Sequence, residues 1–312
     1  MTIRMTRSLR YQLPLMRGND VLAVQRSLRR QGFASVGQPD GLFGAATERA
    51  VRTFQAQAGL RVDGIVGPLT WNRLLAPGSA QAASIGEIVT GLSALCAPHR
   101  RFEGGVRWHL TETGISIEGA PAEGTRGEPS TVRRVRERFG PSIGRWSVEL
   151  GVPAELILAT ICTESGGDPA VERQEPGFVS YEATPHRVSI GLMQTLISTA
   201  AETLGLARID RAWLLQADNS IRAGTAYIAH QSRHTRLDPP VVACAYNAGG
   251  VYENTGVQNR WRMRQYPIGT GHHADRFVAW FNDCFRMYGA DGGAPDLSFF
   301  ALLRRGAVHA AA

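Results

Sequence analysis

The sequence predicts a mainly α-helical protein in two parts, a small three-helix unit followed by a larger helical domain, with a small β-hairpin between them. Three observations carry this. A turn-and-helix motif occurs twice within the first 75 or so residues, apolar residues recur at helical spacing over most of 131–289, and apolar and polar residues alternate over 106–117. The length of 312 residues suits about two domains, and 43% hydrophobic with 20% charged residues is ordinary for a globular chain.

In the first unit, residues 20–31 place Val21, Val24 and Leu28 on one face of a helix. The segment Asp40-Gly-Leu-Phe-Gly44-Ala-Ala-Thr47 then recurs as Asp63-Gly-Ile-Val-Gly67-Pro-Leu-Thr70. Each copy predicts a turn, because Asp-Gly supplies a residue tolerant of positive φ, and then a helix entered near the Thr. Between them, residues 46–58 align Ala50, Val51 and Phe54, and the unit closes near Leu75. This unit also holds the whole net charge of +7: residues 1–80 carry 11 Arg against 4 acids, residues 81–312 carry 23 of each. Such a surface favours an anionic polymer, whether nucleic acid, membrane surface or cell wall.

Residues 77–84 are small and flexible, as in a linker. Val106, Trp108 and Leu110, then Ile115 and Ile117, alternate around Thr-Glu-Thr-Gly and predict the hairpin; 119–130 reads as loop. Helices are expected at 131–150, 153–165, 196–205, 218–234, 239–247 and 274–288. The second has clear punctuation: Pro153 suits the first turn, Glu-Leu-Ile-Leu-Ala-Thr-Ile-Cys forms an apolar body, and Gly166-Gly167 ends it. Glu164 therefore falls in the last turn of a buried helix. Apolar surroundings and the negative end of the helix dipole both disfavour its carboxylate, which suits a general acid; a helix-end acid turned to water fits the same pattern. The domain boundaries read as 1–76, a connecting 77–130, a catalytic 131–290 and a C-terminal tail 291–312.

Composition excludes some chemistry. All 34 basic residues are Arg, so mechanisms needing a lysine, such as a Schiff base, are absent. Cys96, Cys162, Cys244 and Cys284 form no CxxC pair, which argues against a zinc ribbon, and Cys162 and Cys244 read as small buried hydrophobes. The N-terminal stretch lacks the apolar core of a signal peptide, and no run of about 18 apolar residues suggests a membrane span.

Residues 8–76 closely resemble the peptidoglycan-binding domain of many wall hydrolases, through Gly18, Val24-Gln25, Leu28, both DGxxG turns, Phe54-Gln55, Gly59-Leu60 and Gly67-Pro68-x-Thr70-Trp71. Farther on, Glu164-Ser165, Gly191-Leu-Met-Gln194, Asn219-Ser-Ile-x-x-Gly224-x-x-Tyr227-Ile and Ala245-Tyr-Asn-Ala-Gly249 stand in the order and rough spacing of the soluble lytic transglycosylases, which share the goose-lysozyme fold. That second resemblance covers about 131–285. It implies Glu164 as the sole acid/base, with Tyr246 approaching and holding its carboxyl. It also implies a sugar cleft contacted by Ser165 and lined by Met193 and Gln194, the Gln194 amide serving an N-acetyl group, with Asn247 shaping the floor. Asn219, Gly224 and Tyr227 look architectural.

The implied activity is cleavage of the bond between N-acetylmuramic acid (MurNAc) and N-acetylglucosamine (GlcNAc) with closure of a 1,6-anhydro ring. A muramidase outcome, or a non-catalytic wall-binding protein, are the alternatives. Two departures bear on this. The connection 169–188 is rich in acids, and Glu182 is the one best placed to reach the cleft and support a water-dependent reaction. Phe277 stands where the family often has a tyrosine. A metallopeptidase reading of His230-Gln-Ser-Arg-His234 fails at Gln231, which cannot act as the base, and the scattered Arg residues lack the aromatic interleaving of a nucleic-acid site. No cofactor or metal is expected. The expected partner is the glycan strand of peptidoglycan, with no nucleic acid, no membrane span and a monomeric chain. The architecture resembles a modular phage endolysin, made in the cytoplasm without a signal peptide and acting on the wall after holin-dependent release or delivery.

Overall fold

Residues 7–30, 33–57, 60, 62–67, 70, 71, 74, 85–206 and 208–310 are described by the computed structural model, and the chain divides into two units, Met1–Gln81 and Ala82–Ala312. The fold is mainly α-helical, with only small antiparallel sheets. The linker expected at 77–84 lies outside the described residues, as do Gly59 and Pro68 of the first motif.

In the first unit, α1 (Asn19–Arg30) and α2 (Ala45–Gln57) bury the predicted faces: Val21, Val24, Leu28, Ala50 and Val51 are fully covered and join Phe43, Phe54, Val66 and Trp71. The sequence repeat is a repeated hydrogen-bond cage. The Gln25 amide nitrogen donates to Asp40 Oδ1 (2.8 Å), the Leu42 carbonyl (3.0 Å) and Thr47 Oγ1 (3.0 Å), while its oxygen accepts from the N–H groups of Asp40 and Gly41. Gln55 does the same with Asp63 Oδ1 (2.8 Å), the Ile65 carbonyl (3.0 Å), Thr70 Oγ1 (3.2 Å) and the N–H groups of Asp63 and Gly64. Each cage satisfies every polar atom of a buried amide, which is the condition for burying one without loss. The glycines are required: Gly41 and Gly64 have φ of 76° and 71°.

The second unit contains α3 (Ile85–Cys96), a helix inside the stretch expected only as a connecting segment. The predicted hairpin forms from β1 (Trp108–Thr111) and β2 (Gly114–Ile117), with Trp108 opposite Ile117. It braces this unit: Trp108 Nε1 donates to Asp238 (2.9 Å), whose other oxygen meets His99 Nε2 (3.0 Å), and the Ile115 N–H donates to Asn282 Oδ1 (2.7 Å). Then come α4 (Ser130–Leu150), α5 (Ala154–Glu164), α6 (Ile197–Leu204), α7 (Arg211–Leu215), α8 (Ala217–Thr235), α9 (Pro239–Ala248) and α10 (His272–Asp291). Between α5 and α6 lies a three-stranded antiparallel sheet, β3 (Glu172–Gln174), β4 (Val188–Ile190) and β5 (Thr195–Leu196), which begins within the acid-rich connection.

The stretch 291–312, expected as a tail, instead contains α11 (Phe299–Ala310). The fully buried carboxylate of Glu155, in the first turn of α5, accepts the N–H groups of Phe299 and Phe300 (3.0 Å each), so it caps a helix 144 residues away. The Phe299 and Phe300 rings meet Phe281 and Phe285 of α10 at 5.9 and 5.7 Å. A polar residue in an apolar run gave no hint of this, because its partners are backbone groups of a distant segment.

Candidate active site

The second unit is arranged around α5. Every residue from Ala154 to Thr163 is buried, and the helix packs chiefly against α4 and α10, so it has no solvent face to turn outward. Gly166 (φ 62°) and Gly167 (φ 88°) then turn the chain, and a Cβ on Gly167 would lie 2.6 Å from Val135. Glu164 is the last helical residue, with 10% of its side chain exposed. Burial pushes its carboxyl up to about 7, against the opposing charges of Arg173 on β3 and Arg276 on α10.

His273, in the first turn of α10, brings Nε2 to 3.6 Å from Glu164 Oε1, and its side chain is 6% exposed. Burial, reinforced by Arg276 and Arg173, pushes its imidazole down to about 3, so it is neutral at every pH at which the fold is expected to work. The helix expected at 274–288 leaves His272 and His273 just outside it. Extending the predicted helix 274–288 back to a start after Gly271 would have put His273 on the face that α10 turns to α5.

Tyr246, on α9, donates its hydroxyl to the Met193 carbonyl (2.7 Å) and lies 3.2 Å from Thr195 Oγ1. Burial raises its pKa, the Glu164 charge adding to the effect, so it stays a hydroxyl. Its hydrogen bonds go to the β4–β5 turn and to β5. That turn is the Gly191-Leu-Met-Gln194 motif, with Gly191 at φ 78° and Gln194 at φ 46°.

The other expected cleft residues are engaged within the protein. Met193 is fully buried, and a Cβ on Gly224 would lie 2.5 Å from its sulfur. The Gln194 amide donates to the Val171 (2.7 Å) and Gly191 (3.0 Å) carbonyls and accepts from Ser189 (3.1 Å), so both its atoms shape the turn. Ser165 Oγ donates to the Leu192 carbonyl (2.7 Å), tying the end of α5 to the same turn. Asn247 Oδ1 accepts the Tyr266 N–H (2.5 Å), pinning the loop before α10. Glu182 is exposed on a turn and makes no hydrogen bond or ion pair among the described residues, whereas Glu172 accepts from Tyr181 (3.0 Å) and pairs with Arg211. Phe277 is buried and stacks on Phe281. The short motifs thus build the turn to which the end of α5 is tied, and the unpredicted His273 is the group that stands at the Glu164 carboxyl.

One aromatic ring away from Tyr246, a groove of about 460 Å³ is lined by Tyr227, Tyr252, Gln231, Arg101 and Arg233. The Tyr227 and Tyr246 rings meet edge to face with centroids 5.3 Å apart. His230 and His234 are exposed along this groove.

Residues 17–74 match the model of the putative peptidoglycan binding domain family, and residues 141–265 match that of the transglycosylase SLT domain family. In chain order, then, a stretch that matches a peptidoglycan-binding family is followed by one that matches a transglycosylase SLT family. Curated relatives match over short stretches. A spore cortex-lytic enzyme of Bacillus cereus is 43% identical over 58 residues, which are 19% of this chain and 22% of that one. A zinc D-Ala-D-Ala carboxypeptidase of Streptomyces albus G is 43% identical over 53 residues, 16% of this chain and 21% of that one. An uncharacterised protein of Kitasatospora aureofaciens is 60% identical over 35 residues, 11% of this chain and 30% of that one. The chain spans at most about a third of the length of these relatives. The crystal structure of a Burkholderia AP3 phage endolysin aligns over 91% of this chain and all of the other at 17% identity and a TM-score of 0.27, a likeness that carries no argument.

Proposed function

We propose that the protein cleaves peptidoglycan, and within that class is a lytic transglycosylase acting between MurNAc and GlcNAc with Glu164 as its single acid/base. The observation that carries this reading is a carboxyl kept protonated near neutrality by burial, inside the stretch matching the transglycosylase family. The protonated Glu164 gives its proton to the glycosidic oxygen as the C1–O bond breaks, and the GlcNAc unit leaves with a free 4-hydroxyl. The C6 hydroxyl of MurNAc then attacks C1 and returns its proton to Glu164. The 1,6-anhydro ring closes without water, the enzyme is restored, and no second carboxylate is needed, unlike the usual two-carboxylate scheme. Tyr246 fixes the β4–β5 turn beside the reacting carboxyl. The groove lined by Tyr227 and Tyr252 offers rings on which a sugar of the same strand packs. The first unit, with its excess of Arg, would hold the enzyme on the wall, an arrangement that suits an endolysin reaching its substrate after release through a holin or by delivery.

Digestion of purified sacculi tests this. The expected products are anhydro-muropeptides, lighter by one water than reducing ends; reducing ends alone would mean a muramidase, and the absence of both a non-catalytic wall-binding protein. Glu164→Gln should not lower the melting temperature at neutral pH and should keep sacculus binding while abolishing product release.

A further inference from the structure

Glu164 has to serve twice, as an acid toward one oxygen and as a base toward another, and a carboxyl free to rotate would do neither well. His273 Nε2 lies 3.6 Å from its Oε1. We propose that His273 is a positioning residue for Glu164: its neutral imidazole donates Nε2–H to Oε1, which fixes the carboxyl plane and leaves Oε2 to exchange protons with the glycan. This rests on the reading of Glu164 as the acid/base.

The placement of His273 is built from several sides. The residues around it are tied to the preceding loop: the Ala274 N–H donates to Gln265 Oε1 (2.8 Å), and the Asp275 N–H to the Gly271 carbonyl (3.0 Å). Asp275 Oδ1 accepts from Trp261 Nε1 and from Arg260 Nε, both at 2.8 Å. Gln265 and Trp261 are fully buried, so the first turn of α10 is gripped before it reaches Glu164. The position lies beyond the family match, which ends at residue 265. The 3.6 Å separation exceeds a formed hydrogen bond, as is common for catalytic contacts that tighten only when substrate is bound.

The charged and titratable groups facing this pair decide what His273 can do. Arg173 comes from β3, Arg276 from α10 and the Tyr246 hydroxyl from α9, and both guanidinium charges oppose protonation of the imidazole. A base so weak is a poor activator of water, so His273 does not stand in for the second carboxylate of a hydrolase. A neutral N–H has the opposite merit. It can donate to Oε1 when Glu164 is an acid and, more strongly, when it is a carboxylate, with no change of tautomer through the cycle.

The test compares His273→Phe, which keeps ring volume without the N–H, with His273→Gln, whose amide nitrogen reaches the same place. Both are assayed on purified glycan strands from pH 4 to 9. The Phe variant should lose about 10-fold or more in kcat with KM nearly unchanged. Losing a donor to the carboxylate, it should also raise the pH at which kcat declines on the alkaline side by about one unit. The Gln variant should recover most of both. Wild-type kcat and an unmoved alkaline limb in the Phe variant would overturn the proposal. Equal losses in both variants with an unmoved limb would also overturn it, and would assign His273 to packing. If the wild-type enzyme leaves strands intact, the reading of Glu164 fails instead.

Discussion

A carboxyl held near 7 rather than in the usual carboxylate range makes a kinetic statement and a thermodynamic one. As a general acid, Glu164 is competent below about pH 7 and loses its proton above it, so cleavage should fall tenfold per pH unit on the alkaline side. A pH–rate profile on soluble strands checks this; a rate that holds to pH 9 would remove Glu164 from the role of acid. Much of this residue was legible in sequence, because Pro153, eight residues of mostly apolar body and two glycines fix both ends of its helix. His273 was not, because its meaning depends on which face of a separate helix, over a hundred residues later, meets α5. Met193 and Gln194 show the converse: motif residues expected on the cleft wall are held inside it, since a β4–β5 turn with positive φ needs its own amide partners.

At the scale of elements, Glu155 couples helix capping to pH. Its folded-state carboxyl sits at about 7, above the value of an unfolded chain, so the folded state favours the protonated form. That contribution, on the order of 3 kcal/mol for so buried a group, is whole below about pH 4.5 and is lost as pH rises to 7. Glu164 has the same sign. Thermal unfolding should therefore shift to lower temperature between pH 4.5 and 7, and Glu155→Gln should flatten about half of that slope. The Gln cages give a second prediction: Gln55→Leu strands the N–H groups of Asp63 and Gly64 and should cost about 2–4 kcal/mol, read by denaturant unfolding of the first unit. Gly224→Ala drives a methyl into Met193 and should cost about 1–3 kcal/mol. It should also lower kcat, because the Met193 carbonyl is the acceptor of the Tyr246 hydroxyl. Helix existence was readable from periodicity and caps. The short β3–β5 sheet was not, since strands of three and two residues leave no alternation to detect.

For the whole molecule, the division of labour follows the division of charge. With all of its +7 in the first 80 residues, the chain should bind sacculi less tightly as salt rises through the physiological range, while kcat on soluble strands changes little. Removing residues 1–81 should have the same effect at every salt concentration, and co-sedimentation with sacculi reads both. No helix among the described residues is long and apolar enough to cross a membrane. The grip of Glu155 on Phe299 and Phe300 also sets an order of events during synthesis. The N–H groups of Phe299 and Phe300 can meet Glu155 only after the 144 residues that separate them have been made, about 7–30 s at ordinary rates of elongation. The cap of α11 is therefore supplied by a helix that was made well before it.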